Sequence, residues 1–145
     1  PHVAIEAMQA MNESVRNGVF FPAFFLTPVA MAIAAILAWR ERVILAAVLL
    51  GAAAFVYVVG GLGLTMAVNV PMNETLAAAV VPTETAAAEQ MWSDYSGRWQ
   101  TFNQIRTLAS FLSLGLTTVA LVALGRGSDK TRDSKTQSSD LASAT

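Results

Sequence analysis

The chain has 145 residues, 54% hydrophobic and 13% charged, with a mean hydropathy of +0.51. Soluble domains carry about 25% charged residues, so this balance points to lipid. A net charge of −1 leaves no electrostatic footprint for nucleic acid, and the lack of cysteine removes disulfides, thiolate nucleophiles and iron–sulfur clusters.

Residues 1–19 are mildly amphipathic. Ala4, Met8, Met11 and Val15 recur at helical spacing, with Glu6, Gln9, Glu13 and Arg16 on other faces. Asn17-Gly18 is a plausible end for this helix. The single histidine, His2, stands four residues from Glu6 with no third ligand nearby, which describes a surface pair better than a metal site.

Phe20 to Trp39 is a run of twenty residues without a charge. As a helix it spans about 30 Å, the thickness of a bilayer core. Pro22 is tolerated near its start; Pro28 lies deeper and predicts a kink. Ala30, Ala34 and Ala38 form a small-residue face suited to close helix packing. Arg40-Glu41-Arg42 then makes a charged turn.

Val43 to Val70 runs 28 residues without a charge. At about 42 Å of helix it exceeds the bilayer core and must tilt or protrude. Gly60, Gly61 and Gly63 follow no strand, so they mark close packing or a bend, not a nucleotide loop. Pro71 predicts the stop of this helix. Asn73-Glu74 can cap a short helix running to Val81, which Pro82 breaks. Thr83 or Thr85 can cap the last helix, with a bend expected at Ser96-Gly97. Its early part is polar and aromatic; Thr107 to Leu124 is an apolar span of 18 residues. The tail from residue 126 is polar and reads as disordered.

The expected architecture is an all-α membrane helix bundle over 1–125, with spans near 20–39, 43–70 and 107–124 and extramembrane helices beside them. Arg40, Arg42, Arg126, Lys130, Arg132 and Lys135 cluster at the span ends that the positive-inside rule assigns to the cytoplasm. The segment from Asn69 to Arg106, with the N-terminal segment, belongs outside. An integral protein of the plasma membrane with a cytoplasmic tail follows.

Two polar strings interrupt this apolar chain. One is Asn69-Val70-Pro71-Met72-Asn73; the other is Trp92, Tyr95, Trp99, Phe102, Asn103 and Arg106. We expect them to meet at one end of the bundle. Arg106 offers a permanently charged fork of donors for an anion, or it snorkels to the interface. Asn69, Asn73 and Asn103 can hold a carbonyl or hydroxyl, or tie helices together. The four aromatics lie at spacings of three and four and share a helix face, which suits a flat substrate or an aromatic belt at the headgroups. Glu74, Glu89 and Asp94 are acids that could serve as a base, and nothing in the sequence selects among them.

Taken as a set, Met8-Gln9-Ala10-Met11-Asn12, Phe20 to Pro28, Asn69-Val70-Pro71-Met72-Asn73, and Trp92, Trp99, Asn103 and Arg106 resemble a family of small integral membrane proteins. It is the anthrone-oxygenase-like family, long a domain of unknown function, and the likeness covers roughly residues 5–120. The resemblance implies a four-helix membrane bundle; the family usually carries a further membrane helix before the segment that matches Met8–Asn12, and here, where only a few residues precede it, the expectation is three spans without that first helix. Some members oxidise anthrones to anthraquinones with dioxygen and no obvious cofactor. On that basis Arg106 and Asn103 are the expected catalytic residues, and Asn69, Asn73, Trp92 and Trp99 the expected substrate contacts. No metal or cofactor is expected; the partners are the lipid bilayer and a hydrophobic small molecule, and small-residue faces would allow a homo-oligomer. The other readings of the same residues are a membrane protein that binds a lipid, quinone or haem without chemistry, and an accessory subunit of a membrane complex.

Overall fold

The computed structural model describes residues 1–126. Its elements are α1 (His2–Ser14), α2 (Phe20–Arg40), α3 (Ile44–Val56), two π-helical stretches (Tyr57–Gly63 and Thr65–Asn69), α4 (Val70–Ala78) and α5 (Thr85–Ser143). The described part of α5 runs to Arg126, and no strand occurs among the described residues. The protein is an all-helical bundle, and three of its helices are long and apolar enough to cross a membrane: Phe20–Arg40, Ile44–Ala78 and Thr85–Arg126. Its outer faces carry Phe25, Leu26, Val29, Ile33 and Ile36 on α2 and Leu108, Phe111, Leu112 and Leu121 on α5, all exposed. Such a surface suits hydrocarbon, where apolar groups need no cover. The protein is integral to a membrane. The expectation of a disordered tail over 126–145 falls outside the described residues.

α2 and α5 both pack along α3. Near the charged turn the core is built from small residues: Ala38, Ala46, Ala47, Leu50 and Ala120 are buried, with Ala34, Ala35 and Ala123 against them. Of the predicted alanine face, Ala34 and Ala38 therefore pack inward, whereas Ala30 is exposed. Ala120 and Ala123 meeting Ala38 also bring Arg126 to the same end of the bundle as Arg40–Arg42. At the other end a second core joins α1, α4 and the start of α5 through Ile5, Met8, Leu76, Ala88 and Tyr95. Gln9 fastens α1 to the last turn of α4, its Nε2 donating to the carbonyls of Leu76 at 2.8 Å and Ala79 at 3.3 Å.

The α2–α3 turn is closed by a Schellman motif. The Val43 amide bonds the Ala38 carbonyl at 2.9 Å and the Arg42 amide bonds that of Trp39 at 3.1 Å. The motif needs a left-handed residue between them, and Arg42 fills it with φ 62°. At the other end of α2, Asn17 makes the corner between two helices. Its Nδ2 donates to Ser14 O at 2.9 Å, while its Oδ1 accepts from the amides of Val19 at 3.0 Å and Phe20 at 2.8 Å. α1 thus ends at Ser14, somewhat before the Asn17-Gly18 pair.

Two expectations need correction. Pro71 does not stop the second span. The helix runs on to Ala78, because the preceding π turn shifts the hydrogen-bond register: the Val70 amide bonds Thr65 O, five residues back. The wider turn carries a residue that lacks an N–H and whose ring would crowd a regular α turn. Asn73 and Glu74 are consequently inside a continuing helix, and the chain leaves it at Ala79, before Val81. α5 is one continuous helix through Ser96-Gly97. The 42 residues from Thr85 to Arg126 make about 63 Å of helix, twice a bilayer core, so the part before Arg106 stands beyond the lipid.

The glycine-rich stretch serves close packing. A Cβ on Gly60 would lie 2.5 Å from Ala109 Cβ, so only glycine lets α5 approach here. Ser113 adds a polar cross-link to the same face, its Oγ donating to Ala53 O at 2.9 Å.

Candidate functional site

The end of the bundle away from the charged turn holds a cavity of about 520 Å³. Its wall is made by Met11, Asn12, Val15 and Arg16 from the N-terminal segment, Phe20, Phe21, Phe24 and Phe25 from α2, Thr65, Met66 and Asn69 from the second π turn, Val70, Asn73 and Glu74 from α4, and Trp99, Asn103 and Arg106 from α5, with none from α3. The wall surface is mostly apolar, although eight of its seventeen lining residues are polar or charged, a make-up that suits a hydrophobic small molecule with a polar edge.

Five of the six predicted site residues line this one cavity: Asn69, Asn73, Trp99, Asn103 and Arg106. Trp92 stands apart. It packs against the α1–α4–α5 core and meets the Tyr95 ring at 6.0 Å, away from the cavity wall. Phe102 is also elsewhere, with the Arg98 guanidinium 5.9 Å from its centroid. The aromatic face shared by spacing is therefore divided in space, its upper part going to the core and only Trp99 reaching the cavity.

Asn73 is the junction between the two polar strings. Its Oδ1 accepts from Tyr95 OH at 2.8 Å and from Trp99 Nε1 at 2.9 Å. Tyr95 and Trp99 stack with centroids 6.3 Å apart, and burial raises the Tyr95 phenol above its ordinary pKa, which keeps it a donor. On the next turns of α5, Arg106 Nη2 donates to Asn103 Oδ1 at 2.5 Å. Arg106 is half-buried and has no carboxylate partner among the described residues.

Asn69 is in a different condition. It is 2% exposed, and neither its Nδ2 nor its Oδ1 has a hydrogen-bond partner. A buried amide in that state costs about 1–3 kcal/mol for each unmade bond. Asn12 repeats the pattern in part, its Nδ2 being buried and unpartnered. Thr65, one turn from Asn69, gives its hydroxyl hydrogen to Gly61 O at 2.6 Å and so has none for the Asn69 Oδ1. The cavity is thus lined by Asn69, whose buried amide has no partner of its own, by Asn12, whose side chain lies toward Tyr95, and by the cation of Arg106.

Two polar wall residues, Asn12 and Arg16, had no assigned role in the sequence. Asn12 was visible only as part of the Met-Gln-Ala-Met-Asn string. Arg16 and Glu74 face each other across the rim, Nη2 to Oε1 at 3.8 Å, both well exposed. Among the three acids considered as a base, Glu74 lines the cavity, whereas Asp94 bonds Gln90 at 2.8 Å on the outer face of α5 and Glu89 is exposed.

No curated protein and no solved structure matches the chain. The sequence model of the family described as Anthrone oxygenase matches residues 15–116, well over half of the chain, a range that holds every helix of the cavity wall except α1. The chain belongs to the anthrone oxygenase family.

Proposed function

We propose that this cavity binds a flat, hydrophobic aromatic molecule of the anthrone type and promotes its oxidation by dioxygen. The observation that carries the reading is Asn69: a buried amide with no partner, in the wall of a largely apolar cavity that also holds Arg106, a cation with no carboxylate partner among the described residues. A hydroxy-carbonyl edge on a polycycle supplies what Asn69 lacks, a donor and an acceptor side by side. Arg106 and Asn103 then face the oxygen on which negative charge develops, and Trp99 with Phe20 and Phe24 flanks the rings.

The chemistry asks little of the protein. Glu74 takes a proton from the ring methylene. The resulting enolate is stabilised by Arg106 and gives electrons to dioxygen, forming a carbon–oxygen bond and a hydroperoxide that recovers the proton. Loss of the remaining C–H proton expels hydroxide, so the methylene becomes a carbonyl and the second oxygen atom leaves as water. Deprotonation is helped by a dry slot, in which a fixed cation acts more strongly than in water.

The test is anthrone turnover and oxygen uptake in proteoliposomes. Arg106→Ala should lower the rate by about 10²–10³, the usual loss for a group that meets charge only in the transition state. Arg106→Lys should also be impaired, since the planar fork is gone while the charge remains. Asn69→Ala should weaken binding by roughly tenfold or more. Equal rates in all variants, or no rate above empty vesicles, would reject the reading.

A further inference from the structure

We infer that the cavity is loaded sideways from the bilayer, through the cleft between α2 and α5, with Arg106 as the charged group at the junction of the two spaces. The inference rests on the proposed function for the kind of molecule that travels, and on the shape of the bundle for the route.

The cleft is a second hollow, of about 330 Å³, lined by Phe20, Phe24, Tyr57, Arg106, Ser110 and Leu114 among others. Phe20, Phe24 and Arg106 also belong to the wall of the larger cavity, so the two spaces adjoin. The cleft exists because α2 and α5 lean on α3 from two sides. Tyr57, at the start of the π stretch, forms its floor. On α5 the side chains at this level are short, Thr107 and Ser110, with the Ser110 hydroxyl turned back to Arg106 O at 3.0 Å. Lower down, the gap is closed by contact between the helices: the Met31 sulfur meets Ser113 Oγ at 3.7 Å and Thr117 Oγ1 at 3.5 Å. Met31 is about two helical turns beyond Phe24, so the opening is confined to the upper third of the span.

The two ways into the cavity differ in chemistry. The aqueous rim is crossed by the Arg16–Glu74 pair and covered by α1 and the Asn17 corner. The side cleft is flanked by Phe111, 66% exposed, and Leu114, both on the apolar span of α5. A polycycle dissolved in lipid is already concentrated on that side, and passage from hydrocarbon into an apolar slot requires no return to water. Its polar edge would meet Arg106 between the two spaces and then Asn69.

Because the chain has no cysteine, Ser110→Cys creates a single thiol. In a Trp39→Phe, Trp92→Phe background, Trp99 is the sole tryptophan and reports occupancy of the cavity. The protein in proteoliposomes is mixed with 1,8-dihydroxyanthrone without oxygen, and Trp99 quenching is followed in time, before and after the thiol is alkylated with N-cyclohexylmaleimide. The unalkylated protein is the folding control for the alkylated one. Alkylation should slow quenching by about tenfold or more, within the range over which related binding steps vary in on-rate, and leave its final amplitude largely intact. Ser110→Phe should do the same without a label. Quenching at an unchanged rate in both would overturn the side route and leave the proposed function standing. No quenching of Trp99 even before alkylation would overturn both.

Discussion

The hydroxyl of Tyr57 donates to the carbonyl of Phe24 at 3.3 Å, and that carbonyl is the one Pro28 leaves without a helical donor. A proline inside a membrane helix is tolerated when another group takes up the freed carbonyl, and here the neighbouring span provides it. Tyr57→Phe should therefore destabilise the bundle by about 1 kcal/mol, the scale of an interhelical hydrogen bond in a membrane protein. Pro28→Ala in the same background restores the intrahelical donor and should recover much of the loss. Thermal unfolding in detergent of the two single variants and the double variant measures the coupling; purely additive effects would show that the two sites are independent.

Gly60 and Ala109 set the distance between the second and third spans. A methyl group added at Gly60 would sit 2.5 Å from Ala109 Cβ, so one helix has to move. Gly60→Ala should cost about 1–3 kcal/mol, the range for overpacking a filled interface. Ala109→Gly should rescue it in the double variant. Gly51 and Gly115 have open space at the Cβ position and serve as controls whose alanine variants should be close to neutral or stabilising.

Much of the bundle was legible in the sequence because its signals are local. Two charge-free runs and an apolar stretch after a polar one fix three spans, and the Arg40-Glu41-Arg42 turn lies where the first run ends. The course through Pro71 was not legible. Whether proline stops a helix depends on register, and the π turn that absorbs it is visible only once Val70 is seen to bond Thr65. The site shows the same division. Spacing places Trp92, Tyr95 and Trp99 on one face of α5, but which of them meets the cavity depends on where α1 and α4 cover that face. Asn69 and Asn73 are four residues apart in the same string and end in opposite conditions, one with two donors aimed at it and the other with none. Only the long-range packing of α5 distinguishes them.

The charged turn gives a test of backbone strain. Arg42 occupies a left-handed conformation with φ 62°, where a side chain is disfavoured and glycine is not. Arg42→Gly should raise stability by up to about 1 kcal/mol if only the fold matters. The same change removes a basic residue from the turn that we expect to face the cytoplasm. Cysteines introduced at Glu41 and Glu84 should label from opposite sides with an impermeant reagent, in the parent and in Arg42→Gly alike, since Arg40 and the basic tail remain. Labelling of both from one side would reject the assignment of the Asn69–Arg106 segment to the outer face.

The last prediction concerns Asn73, which joins α4 to α5 through one oxygen. Tyr95 OH and Trp99 Nε1 both donate to its Oδ1, so one atom ties two successive turns of α5 to α4. Asn73→Ala leaves two buried donors without an acceptor and should cost about 2–3 kcal/mol, more than either partner variant alone. Asn73→Asp retains the acceptor and strengthens each bond by its charge, at the expense of burying an anion near the ring of Trp99. The two variants therefore separate position from polarity. If Asn73 acts by holding Trp99 against the cavity, Asn73→Ala should free the indole, red-shift its emission in the Trp39→Phe, Trp92→Phe background and weaken anthrone binding, while Asn73→Asp preserves both properties at a pH where the carboxylate is ionised. If Asn73 instead contacts the ligand directly, Asn73→Asp should weaken binding as much as Asn73→Ala does, because an anion there would repel the enolate, even though Asn73→Asp leaves the Trp99 emission where it is.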